Sequence, residues 1–120
     1  MWLIDANILP VSLAPAGAVL RELPDAVPVL QPELVDHCFT GWSRELRIER
    51  GGFHGDLDIA MSAPPGMDFF HLYIPPGRNY FCAEPVSQMP DAIHHTGQTG
   101  LRWLAPGESL RAGMKIAITS

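Results

Sequence analysis

The chain's 120 residues suffice for one domain and are too few for two of ordinary size. Apolar residues make up 47% and charged ones 18%, which argues against a disordered tail, and eight basic against thirteen acidic side chains leave a net charge of −5. That sign repels phosphate, so neither nucleic acid nor an anionic membrane is expected as a partner. No apolar run approaches the roughly 20 residues of a membrane helix. The opening residues 1–10 carry Asp5 and no basic leader, so a cytoplasmic protein is expected.

Eleven glycines and twelve prolines leave almost no window for a mid-sized helix. The first stretch, residues 10–32, holds Pro10, Pro15, Pro24, Pro28 and Pro32 among small apolar residues, and is expected to be an irregular connection. From Ser43 the pattern turns to period two. Leu46 and Ile48 alternate with charged neighbours up to Arg50, Gly51-Gly52 interrupts, and residues 55–62 restart the alternation, which predicts a β-hairpin. Phe69 to Ile74 predicts a third strand between Pro/Gly turns, Asn79 to Glu84 a fourth, and Leu110 to Thr119 a last one. The expected fold is all-β, an antiparallel β-sandwich of one domain over residues 1–120. Two cysteines, Cys38 and Cys82, make no disulfide framework and no four-ligand zinc site, and are read as small buried apolar residues.

Two acidic residues are candidates for chemistry. In Tyr80-Phe81-Cys82-Ala83-Glu84-Pro85, an extended backbone puts Tyr80, Cys82 and Glu84 on one face, with Phe81 and Ala83 on the other. Pro85 biases Glu84 toward extended backbone and so fixes the direction of its side chain, as a general base requires. The alternative is a strand-end carboxylate reaching into water. In Val35-Asp36-His37-Cys38-Phe39-Thr40-Gly41-Trp42, the acid and the imidazole fall on opposite faces if the segment is extended. An ionised Asp36 accepts several hydrogen bonds, which suits a polyhydroxylated ligand, and Phe39 and Trp42 offer apolar faces to the C–H side of a sugar ring. The alternative here is a turn-forming Asp36 with Trp42 in the core. The five histidines, His37, His54, His71, His94 and His95, show no zinc-ligand spacing, and His71 is expected on the solvent side of its strand or against its neighbours. No nucleotide-binding glycine loop and no Gly-x-Ser-x-Gly motif occur.

Taken in order, Val35-Asp36-His37-Cys38-Phe39-Thr40-Gly41-Trp42, Phe81-Cys82-Ala83-Glu84-Pro85-Val86-Ser87, Pro90-Asp91-Ala92 and Leu104-Ala105-Pro106-Gly107-Glu108 resemble the C-terminal portion of the aldose 1-epimerase (galactose mutarotase) family. The resemblance runs from about Trp2 to the end. It implies part of a galactose mutarotase-like supersandwich whose concave face binds a sugar, with Glu84 as catalytic base and Asp36 as a substrate-binding acid. The implied isomerase reaction interconverts the α and β anomers of a free aldohexose by ring opening, with no metal or organic cofactor. The family's catalytic acid, a histidine, belongs to an N-terminal portion without a counterpart here, and no histidine of this chain matches it. A truncated relative of this kind exposes apolar surface, so a homodimer or a separately encoded N-terminal portion is expected as partner. Two alternatives stand beside the enzyme: a non-catalytic carbohydrate-binding β-module keeping Asp36 and Glu84, and a metal-binding barrel of cupin type.

Overall fold

Alternating side chains and proline-glycine turns give strands and almost no helix. The computed structural model describes residues 2–4, 10–13, 32–49 and 57–119. The strands among them are β1 (Trp2–Ile4), β2 (Pro10–Leu13), β3 (Val35–Thr40), β4 (Glu45–Ile48), β5 (Asp58–Ser62), β6 (Phe69–Ile74), β7 (Cys82–Val86) and β8 (Lys115–Thr119), with a 3-10 turn at Ala92–His94 between β7 and β8. They form two antiparallel sheets, one in the order β2-β1-β3-β6-β7 and one in the order β4-β5-β8. The result is an all-β, sandwich-like fold.

The strand expectations hold for the hairpin and for β6, whereas the fourth strand runs Cys82–Val86 rather than Asn79–Glu84 and the last begins at Lys115 rather than Leu110. β4 and β5 pair as the hairpin, from Glu45 opposite Ser62 to Ile48 opposite Ile59, and β6 has the expected bounds. The stretch read as an irregular connection over residues 10–32 differs at its start, because Pro10–Leu13 is strand β2. A proline has no N–H to give to a ladder, but it fits the first residue of an edge strand, and β2 is an edge whose register shifts beside Ile4. Residues 14–31 lie outside the described residues.

The two faces of the five-stranded sheet are covered differently. One face presents Val35, Phe70, Leu72 and Ile74, with Phe39, Trp42, Phe81 and Ala83 packed around them and Leu46 reaching in from β4 of the second sheet. The other face divides into three cross-strand rows. Thr40, Phe69 and Val86 form the first, Cys38, His71 and Glu84 the second, and Asp36, Tyr73 and Cys82 the third. Residues after β7 fold back over the first row, where Met89, fully buried, and Ala92 pack on Phe69 and Cys38 with Val86 and Leu101. That return is tied by the Met89 N–H donating to the Thr99 carbonyl at 3.0 Å. The cover reaches Cys38 at the inner end of the second row and goes no further among the described residues, leaving His71 and Glu84 of that row and Asp36, Tyr73 and Cys82 of the third beyond it.

Candidate functional site

The third row and the outer part of the second bring together Asp36, His71, Tyr73, Cys82 and Glu84. Strand alternation decides this. β3 sends Asp36 to the polar face and His37 to the opposite, buried one, as an extended Asp-His pair requires. β7 does the same for Cys82 and Glu84 against Ala83, which packs in the apolar cluster with the preceding Phe81. Pro85 sits in the middle of β7, where its missing donor is harmless because β7 is an edge.

His71 joins the two candidate acids. Its Nε2 lies 2.7 Å from Asp36 Oδ1, with both side chains mostly shielded, and across β6 and β7 it stands directly opposite Glu84. Strands β3 and β7 flank β6, so their backbones are roughly 10 Å apart, a separation that a pyranose and two carboxylate side chains can bridge. With Nε2 engaged by Asp36, Nδ1 is left as the ring atom for a ligand. Tyr73 continues the row beyond His71. Desolvation, contact with the Tyr80 hydroxyl and the charge of Asp36 push its phenol above the usual range.

A cleft of about 570 Å³ opens beside these residues, walled by Met67, His71, Glu84, Gln88, Asp91 and Ala112 among others. Glu84 is exposed at its mouth. Asp36 does not line the cleft and meets it through His71. At its far side Asp91 holds His94 Nδ1 at 2.5 Å, with His95 Nε2 3.8 Å from the same carboxylate. Among the described residues, no three His, Cys, Asp or Glu side chains are grouped as metal ligands would be.

Three sequence expectations change. Phe39 and Trp42, offered as faces for a sugar ring, point away from the acids. Trp42 stacks on Phe70 with ring centroids 5.0 Å apart and donates its Nε1–H to the Met67 carbonyl at 2.9 Å, and Phe39 lies 6.5 Å from the same ring. The parity of β3 puts Phe39 with Val35 and His37 rather than with Asp36, and Trp42 follows the break in the strand at Gly41, whose φ is +71. His71 is the residue that sequence reasoning passed over. Its only local signal was a shared parity with Tyr73 in an otherwise apolar strand. Cys38 is buried as expected, and desolvation pushes its thiol up to about 11, so it is protonated near neutral pH. Cys82, also expected to be buried among apolar residues, is instead half-buried on the polar face, where it shares strand parity with Glu84.

The uncharacterized protein YphB of Escherichia coli (strain K12) is 31% identical over 114 residues, which cover 86% of this chain and 39% of YphB. The chain thus spans about two-fifths of the length of the curated relative it matches. No family model matches it, and no solved structure does. No helix among the described residues is long and apolar enough to cross a membrane.

Proposed function

We propose that this chain is a cytoplasmic aldose 1-epimerase-type isomerase acting on a free aldohexose, built on part of a galactose mutarotase-like supersandwich. The observation that carries the reading is the line Asp36–His71–Glu84 across three neighbouring strands on one face of the sheet. Ring opening needs a base at the C1 hydroxyl and an acid at the ring oxygen, acting together on two oxygens bonded to the same carbon. Glu84, whose carboxylate stands at the mouth of the cleft, takes the hydroxyl proton. The C1–ring oxygen bond breaks, and the ring oxygen receives a proton from His71 Nδ1–H while Asp36 holds Nε2 and fixes the direction of the ring. Rotation about C1–C2 and closure on the other face return both protons and give the other anomer. Glu84 and His71 end as they began, so no cofactor is consumed.

In this reading His71 supplies the acid that the resemblance assigns to a portion without a counterpart here, and Asp36 acts through His71 as well as on sugar hydroxyls. Tyr73 and Tyr80 offer the aromatic surface expected of Trp42. A second reading, a non-catalytic carbohydrate-binding module, is favoured by the exposure of Glu84, since a base open to water works in a less preorganised environment. Polarimetry of freshly dissolved α-galactose and α-glucose separates them. The isomerase reading expects equilibration faster than in buffer in proportion to protein concentration. Sugar binding with no acceleration would replace it by the binding module.

A further inference from the structure

A carboxylate–imidazole contact open to water is weak, because water competes for both partners. Asp36 and His71 lie on the half of the face that the return after β7 does not reach, yet their side chains are only 14% and 17% exposed. Their contact, His71 Nε2 to Asp36 Oδ1 at 2.7 Å, runs diagonally across the ladder. The residue directly opposite His71 on β3 is Cys38, and the residue directly opposite Asp36 on β6 is Tyr73.

That register singles out Tyr73. Directly opposed residues of an antiparallel pair have Cβ atoms about 4.5–5.5 Å apart and share a face, so the phenol ring stands beside the Asp36 carboxylate. The row ends in Cys82, a small side chain two strands from Asp36, which leaves Tyr73 as the one aromatic group of the row. Burial, the Tyr80 hydroxyl and the charge of Asp36 push the phenol above its usual range, so the ring is close enough to feel that carboxylate and carries no charge of its own near neutral pH. The contact with Tyr80 also ties the tip of the ring to the chain entering β7.

We infer that Tyr73 is a positioning residue: its ring keeps water off the Asp36–His71 contact and so holds the imidazole in place opposite Glu84. A hydrogen bond to a carboxylate strengthens as water is excluded, and a ring oriented by one such bond keeps its direction only while the bond is made. The role passes through Asp36 and belongs to the ring, with the hydroxyl adding the tether to Tyr80. Its bearing on catalysis rests on the isomerase reading, whereas the shielding itself is independent of any sugar.

Nuclear magnetic resonance of the ¹⁵N-labelled whole chain without sugar tests this. The proton between His71 Nε2 and Asp36 is expected as a downfield imidazole signal that exchanges slowly with water and is absent in His71→Gln. Tyr73→Phe should keep the signal. Tyr73→Ala should broaden it beyond detection at the same pH and temperature, and so should Tyr73→Thr, a strand former without the ring that serves if the Ala variant does not fold. In mutarotation, losing the ring should lower kcat by about 10²-fold, and Phe should restore most of it. A signal that survives in the Ala or Thr variant, one lost in the Phe variant, or none in the parent overturns the inference. So does a ring-less variant as fast as an active parent. The expected signals in a parent without mutarotase activity would end the isomerase reading and leave the shielding by Tyr73 standing.

Discussion

Glu84→Gln is expected to remove the acceleration of mutarotation, by about 10²–10⁴-fold or roughly 3–5 kcal/mol of barrier. The amide keeps the size of the carboxylate and can still bond a hydroxyl, but it cannot take the C1 proton. Because the side chain is exposed on an edge strand, the fold and the affinity for sugar should change little. The expected pattern is therefore a fall in kcat with a nearly constant KM, which marks a group used in the transition state rather than in binding. A variant as fast as the parent would assign the base elsewhere.

Gly100→Ala should be the most damaging small substitution for stability. Gly100 has φ +76, and a Cβ there would fall against the Ser87 carbonyl oxygen, 2.5 Å from the Phe69 ring and 2.9 Å from Gln88 Cα. Left-handed backbone costs an alanine about 1–2 kcal/mol, and overpacking typically adds about 1–3 kcal/mol. Two of the three clashes are with backbone, which cannot rotate away. The clash lies under the return that buries Met89, so the first row of the polar face would open and the cleft would lose its wall. Urea unfolding should show a midpoint well below that of the parent, and an unchanged midpoint would contradict the packing described for residues 87–101.

The contrast between these two positions shows what the sequence revealed. Strands β4, β5 and β6 were legible because alternation is local: Leu46 and Ile48, then Phe69 to Ile74, announce their period within a few residues. The opposite facing of Asp36 and His37, and of Glu84 and Ala83, followed from the same rule. What alternation cannot say is which face of a strand is covered, since that depends on partners distant in sequence. Trp42 was open to two readings, a face for the sugar or a place in the core, and its packing on Phe70, 28 positions away, decides for the core. His71 was read as facing solvent or its neighbours because it alternates with Phe70 and Leu72, and its partner is 35 residues earlier on β3. β1 and β2 were hidden for another reason. Their runs are short, and Pro10 reads as a break unless the strand is known to be an edge.

The account depends most on Asp36, His71 and Glu84 serving one ligand. Titration of the ¹⁵N-labelled protein with galactose, followed by amide chemical shifts, tests that directly. Saturable shifts are predicted along residues 36–38, 71–73 and 82–84, with His71 ring signals moving at the same sugar concentration. Shifts confined to β4, β5 and β8, or no saturable shift on the polar face at any accessible concentration, would contradict it.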